Sequence, residues 1–304
     1  MTQRTVVGYG IGQYYEKLKE SNLLEGNIKF DYLCDRRWEG TNLKQYDGIS
    51  IISKDNIGKL KNPLVVVLLA SQWISEQIVT EMDNEGIECK RIQEIIPLEY
   101  TITGKELKSK NIDGHYRDKM GNTIYFDSTI PDNLHIQFKG MNNRLIVGNN
   151  VSTASLFICF GNNGICSLGS DSELIGVEIY TSNGKIEIGE KCLFSTQIVL
   201  RNHDGHHIFD RETKERMNHN KDILIGNQVW VCYRAMLLGG TQIGDGSVVG
   251  AGSIVTKPFK DHEEVAGIPA RVVRENICWS REDTNYFDRD FFTECKDQVA
   301  KEFF

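Results

Sequence analysis

Asp222–Lys257 reads DILIGNQVWVCYRAMLLGGTQIGDGSVVGAGSIVTK. An aliphatic residue recurs there near every sixth position: Ile223, Val229, Ala235, Ile243, Val248 and, after a slip, Ile254. Most are followed within a few residues by Gly, Asn or Asp. A period of six fits neither the roughly 3.6 of an amphipathic helix nor the 2 of an ordinary strand. It fits a parallel β-helix, in which each hexapeptide supplies a short strand and a corner. The aliphatic side chain points into the prism, and small or left-handed-tolerant residues take the corner without steric cost. No coil buries its own apolar face, so several must stack before any is stable.

Upstream, the same grammar is looser. NTIYFDS, LHIQFKG, RLIVGNN, LFICFGNN, VEIYTSNG and KIEIGE are short strand-like pieces between Gly-Asn corners, beginning near Asn122. Terminal repeats are atypical because they cap the stack, which accounts for irregular first coils. The repeat then breaks at Leu200–Lys221, LRNHDGHHIFDRETKERMNHNK, a polar stretch holding four of the seven histidines. Loops extruded from a rigid scaffold carry binding and catalytic groups. Beyond Lys257 the solenoid is expected to close, with Pro258 and Pro269 marking the exit.

Residues 1–100 are built differently. TVVGYGIGQYYEKLKE reads as strand, glycine turn and helix, and FDYLCD as a second strand ending in Asp35. GISIIS and PLVVVLLAS are further apolar runs, and Trp73–Glu85 has helical periodicity. Such alternation implies a parallel sheet of βαβ units. Gly8, Gly10 and Gly12 stand where a dinucleotide fold bends under phosphates, and Asp35 where an acid meets a ribose. Gln13 replaces the third glycine of that fingerprint. A polar link is expected at Thr103–Asp113.

With 304 residues, 40% hydrophobic and 25% charged, the chain has room for two domains. Its net charge of −7 and pI near 5.6 disfavour nucleic acid as a partner. No run approaches about 18 apolar residues and no leader precedes the first strand-like run, so no transmembrane segment and a cytoplasmic location are expected. The eight cysteines form no CxxC pair and read as small buried hydrophobes.

Ile223–Gly226, Val229–Trp230, GDGSVVGAGSIVTK and VAGIPARVV (Val265–Val273) resemble the hexapeptide-repeat acyltransferases. More narrowly, they resemble the bacterial O-acetyltransferases of capsular and other surface polysaccharides. The resemblance implies an all-β left-handed parallel β-helix at 111–275, with the inserted loop at 200–221. An α/β Rossmann-like domain at 1–110 precedes it, and a helical tail at 276–304 follows. It also implies a homotrimer, acetyl-CoA as donor, a sugar-linked or polysaccharide acceptor, and no metal. The first domain resembles small Rossmann-like domains fused to sugar-modifying enzymes.

Acetyl transfer to a hydroxyl needs a group that removes the proton as the oxygen attacks. Histidine suits this, since its reference pKa near 6.5 leaves it neutral yet able to accept a proton. The residues alone leave His203, His206 and His207 as candidates. The family pattern (acid, small residue, histidine, often proline, aliphatic) matches Asp204-Gly205-His206-His207-Ile208 and selects His206 as base. Asp204 is then the acid that could hold its tautomer, and His203 and His207 are polar groups near the substrate. Trp230 is too large for a narrow interior and is expected to point outward or into a subunit seam, and in the resembling enzymes a tryptophan so placed lines the site. Ala251, Gly252 and Ser253 are small enough to let a pantetheine arm approach the backbone. Lys257, Arg271 and Arg274 stand where the family places phosphate-binding cations, with Arg234 as a further candidate.

Two other activities use related architecture. An N-acyltransferase of nucleotide-linked amino sugars also joins a Rossmann-like domain to a β-helix, but carries its histidine in an unbroken coil. A β-helix metal-dependent hydratase needs three histidines converging on one ion, and adjacent His206 and His207 cannot easily both face it. A non-catalytic scaffold is the remaining class.

Overall fold

The computed structural model describes residues 4–20, 23–96, 99–110, 114–127 and 130–281. They fall into two units, Met1–Tyr100 with Asp118–Gly121, and Thr101–Arg117 with Asn122–Phe304.

The first unit alternates strands and helices as the apolar runs suggest: β1 (Thr5–Tyr9), α1 (Gln13–Glu20), β2 (Tyr32–Cys34), β3 (Gln45–Tyr46), β4 (Ile49–Ile51), α2 (Lys54–Ile57), β5 (Pro63–Val67), α3 (Gln72–Asn84) and β6 (Glu88–Arg91). The sheet order is β3-β4-β2-β1-β5-β6, and every pairing except β3–β4 is parallel. Covered parallel strands read as unbroken apolar runs. Accordingly Val7, Val65 and Val67 are fully buried and pack with Ile57, Ile78 and Met82.

The second unit is a three-faced parallel β-helix. Its first face stacks Leu134–Phe138, Ser155–Phe160, Gly176–Thr181, Ile198–Arg201, Met236–Leu238 and Ile254–Val255. Consecutive strands pair parallel and in register, so identical positions form columns. Ile136, Ile158, Ile179, Leu200, Leu237 and Val255 make one inward column, all with no exposed surface. Val147, Leu168, Ile188, Ile225, Ile243 and Phe259 make another on the second face. Leu174, Phe194, Val231, Val249 and Val265 make the third. Each such side chain contributes roughly 1.5–3 kcal/mol through burial. Cys166 stands between Leu145 and Ile186 in a further column, and burial pushes its thiol pKa up.

The six-residue period is unbroken where the sequence shows a slip. Ile223, Val229, Ala235, Thr241, Ser247 and Ser253 are all buried, 0–1% exposed, at strict intervals of six. Small hydroxyl residues replace aliphatics in the later corners and bond the backbone: Thr241 Oγ1 donates to the Val255 carbonyl (2.9 Å) and Ser247 Oγ to that of Lys260 (3.0 Å). An aliphatic-only reading therefore jumps to Val248 and Ile254, which lie one residue out of phase. The upstream coils are longer rather than irregular. Leu156 and Val177 are stacked at a spacing of 21, against 18 for Leu237 and Val255. Their first-face strands have five or six residues and bury three or four side chains each, including Phe138 and Phe160, stacked 5.2 Å apart. Period-two strands of that length hide a period of six.

The solenoid does not close at Lys257. Pro258–Phe259 and Glu264–Gly267 add to the second and third faces, and Ala270–Arg274 then turns back antiparallel. The stretch expected as a polar link contains a helix, Gly104–Ser109, with a Thr103–Glu106 capping box. This helix sits tightly on the first coil, because a Cβ at Gly104 would lie 1.9 Å from the Pro131 carbonyl oxygen. Of the expected helical tail, 276–281 is irregular. Tyr286, Phe287, Phe291, Phe292, Phe303 and Phe304 lie outside the described residues.

Candidate active site

The excursion leaves the solenoid after Ile198–Arg201 on the first face and rejoins it at Ile223–Ile225 on the second. Both ends are pinned. Buried Asn202 accepts from the Ser182 amide (3.0 Å), and Asp222 accepts from that of Lys185 (2.9 Å). The Lys221 amide donates to the Asn202 carbonyl (3.2 Å), which closes the root. Beyond it the chain forms a hairpin: Met217 N–H bonds the Ile208 carbonyl (2.8 Å) and Asp210 N–H that of Glu215 (2.9 Å). The Asp210 carboxylate accepts from the Glu212 and Thr213 amides, which hold its pKa below the usual range. The arms of the hairpin present Ile208, Phe209 and Met217 to solvent, each more than half exposed.

The three histidines stand in different surroundings. His203 is half-buried at the root; burial, with Arg201 nearby, holds its pKa below the ordinary imidazole value. His206 is exposed at the start of the hairpin, after Gly205 (φ 81°). His207 is exposed and meets the Phe209 ring edge-on at 5.8 Å. Asp204 takes its hydrogen bond from Asn218 Nδ2 (2.9 Å), and among the described residues none joins it to His206. Asn218 holds this turn as a whole. Its Nδ2 also donates to the His206 carbonyl (2.7 Å), and its Oδ1 accepts from the Ile208 amide (2.7 Å). Arg216 in turn donates to the Asn218 carbonyl (2.9 Å). Sequence reasoning missed Asn218, since nothing in an aperiodic segment marks one asparagine of three as the one that folds back.

Trp230 lies on the third face with its indole outward, 37% exposed. Trp279 covers part of it, the rings 5.8 Å apart, while the Trp279 Nε1–H donates to the Gln228 carbonyl (2.7 Å). Arg281 continues this strap with bonds to the Asp171 and Cys192 carbonyls. Trp279 was not among the residues singled out as site candidates.

The donor-site candidates divide among four places. Ala251 and Gly252 are exposed at the corner between the third and first faces, and Gly252 (φ 68°) has open space where a side chain would stand. Arg234 occupies the same corner one coil earlier, bonded to Gln197 (2.7 Å) and set over the Tyr233 ring. Ser253 faces inward instead, its Oγ accepting from the Gly267 amide (3.1 Å). Lys257 lies at the corner between the first and second faces, the one the excursion leaves from, over the Phe259 ring. Arg271 and Arg274 are exposed on the closing strand, where Arg274 pairs with Glu264. Within one chain, His206, Trp230 and the Ala251–Gly252 corner thus belong to different faces. Among the described residues no group of three or more His, Cys, Asp or Glu side chains is arranged to hold a metal ion.

Comparison with known proteins places this geometry. Residues 222–257 match the family described as bacterial transferase hexapeptide (six repeats). A polysialic acid O-acetyltransferase of Neisseria meningitidis is 34% identical over 187 residues, which cover 53% of this chain and 87% of that protein. The chain belongs to the hexapeptide-repeat O-acetyltransferases. Another member, a polysialic acid O-acetyltransferase of Escherichia coli O1:K1 / APEC, is 35% identical over 108 residues, covering 36% of this chain and only 35% of its relative. The crystal structure of the polySia-specific acetyltransferase NeuO has 30% identity, covers 60% of this chain and 87% of its own, and superposes with a TM-score of 0.46. No described helix of this family member is long and apolar enough to cross a membrane.

Proposed function

We propose that this chain moves an acetyl group from acetyl-CoA to a sugar hydroxyl of a bacterial surface polysaccharide, with His206 as general base. The observation that carries the reading is the excursion: an exposed histidine held at its backbone by Asn218, on a hairpin rooted in a rigid coil. The imidazole takes the proton of the acceptor hydroxyl as its oxygen attacks the thioester carbonyl. The tetrahedral oxyanion collapses, expels CoA thiolate, and the imidazolium returns the proton to that sulfur. A base so placed contributes roughly 10²–10⁴-fold. Ala251 and Gly252 would let the pantetheine arm lie against the corner, and Arg234, Lys257, Arg271 and Arg274 would meet its phosphates.

The reading includes the family's left-handed coil and a homotrimer. The bare apolar side chains of the hairpin, Ile208, Phe209 and Met217, support assembly, because burying them needs a neighbouring surface. Assembly would also set the excursion of one copy beside the Trp230 face of the next. The acceptor named for the two relatives is polysialic acid, so this polymer heads the panel to be tried. Work in the cytoplasm, where acetyl-CoA is made, fits the same reading.

The test is acetyl-CoA turnover against a panel of capsular and other surface glycans, with products mapped for O-acetyl esters. Transfer to a glycan that His206→Ala abolishes supports the reading. Turnover undiminished in that variant, or transfer to amino groups alone, overturns it.

A further inference from the structure

The first unit contains a cavity of about 1060 Å³, whose lining includes Tyr9, Arg36, Trp73, Ile74, Gln77 and Glu81. It opens at the carboxyl ends of β1 and β5, where the order β2-β1-β5 reverses the direction of chain travel. Open α/β sheets bind ligands at such switch points.

The glycine turn makes a nucleotide the obvious occupant, but its chemistry is already used. A Cβ at Gly10 would lie 2.7 Å from Leu69, so that leucine fills the space above the turn that a diphosphate needs. The Asp35 carboxylate accepts from the Ile11 amide (2.8 Å), the Arg37 amide (2.9 Å) and Arg37 Nε (2.8 Å), leaving little for a ribose hydroxyl. Arg37 also reaches the Ile11 carbonyl and so lies across the turn. Arg36 is shared between the Tyr9 hydroxyl (3.0 Å) and Glu81 (2.8 Å). The lining holds Asp35, Glu76 and Glu81 against two arginines, a balance that does not attract a polyanion.

The wall formed by α3 is of another kind. Trp73, Gln77, Glu81 and Asn84 recur at helical spacing and line the cavity together with Ile78, while Ser75 and Met82 are buried away from it. Trp73 is 67% exposed and Ile74 44%, an apolar shelf that the unit's own core leaves uncovered. A flat indole beside amide, carboxylate and guanidinium groups matches a ligand with one C–H face and a rim of hydroxyls.

We propose that this cavity binds a pyranose ring, stacked on Trp73 with its hydroxyls directed to Gln77 and Asn84. The ring belongs either to a glycan chain or to the sugar of a nucleotide sugar. The site is separate from the solenoid residues above and does not depend on acetyl transfer.

The test uses the full chain in two arms, an array of neutral bacterial-glycan fragments and a titration with UDP-N-acetylglucosamine and UDP-galactose, with UDP and NADH as competitors. Isothermal titration calorimetry reports binding. The expected result is saccharide binding weakened about tenfold or more by Trp73→Ala and several-fold by Gln77→Ala. Binding on the array assigns a glycan chain, and binding of the UDP-sugars uncontested by UDP assigns a nucleotide sugar. Saccharide affinity that survives Trp73→Ala overturns the proposal. So does competition by UDP or NADH alone, or the absence of any saccharide ligand in both arms. Because the readout is binding, its failure leaves the acetyl-transfer reading standing, and failure of the turnover assay leaves this one standing.

Discussion

The coils between Ile223 and Val255 and the excursion between Asn202 and Asp222 adjoin in sequence but are held in opposite ways. In the coils, inward positions have twins in the neighbouring turns, so a side chain is fixed by its column. The excursion has no column. It is fixed at its root by Asn202 and Asp222 and at its turn by Asn218, through polar contacts alone. Stability is therefore concentrated in the coils and, on the proposed reading, chemistry in the loop, so substitutions in the two should part company.

The widest separation is expected at His206. His206→Ala should lower kcat by about 10²–10⁴-fold while the thermal midpoint stays put, since the side chain is exposed; steady-state kinetics beside a melting curve check both. Leu237→Ala should do the reverse. Emptying a fully buried column position costs roughly 2–5 kcal/mol, read by denaturant titration, while activity per folded molecule persists. Asn218→Ala probes the join between the regions. Losing the bonds to Asp204, His206 and Ile208 should lower kcat by roughly ten- to a hundredfold, with KM for acetyl-CoA unchanged and only a minor loss of stability. The smallest effect is expected at His203. Its folded pKa lies below the unfolded value of 6.5, so the unfolded chain binds more protons between the two. The resulting stability is complete above pH 6.5 and is lost as pH falls through that value toward the folded pKa. His203→Asn should flatten this acid limb in melting curves taken at successive pH values.

Much of the solenoid is legible because a six-residue repeat has one structural solution, and the outward direction of Trp230 follows from its size. The apparent slip before Ile254 shows the limit of that reading. Hydrophobic pattern cannot see that Thr241, Ser247 and Ser253 hold inward places, because what qualifies them is a hydrogen bond to a neighbouring coil. The longer upstream coils were blurred for a similar reason, as their five- and six-residue strands follow the period of two. In the first unit the strands and helices follow from composition, yet the meaning of Gly10 and Asp35 does not. Leu69 and Arg37, distant or unremarked in the chain, occupy the places a nucleotide would need. Trp279, which shields part of Trp230, comes from a segment 49 residues further on with no repeat to mark it.

By itself the sequence determined the elements of the first sheet, the repeating coils, the break in them, and the histidines carried by that break. These depend on local spacing and on which side chains water excludes, and both are written along the chain. The tertiary structure alone decided which polar groups are already satisfied: Asp35 by Arg37, Asp204 by Asn218, Ser253 by Gly267. A hydrogen bond joins residues by distance in space, and distance in space is set only once the chain has folded.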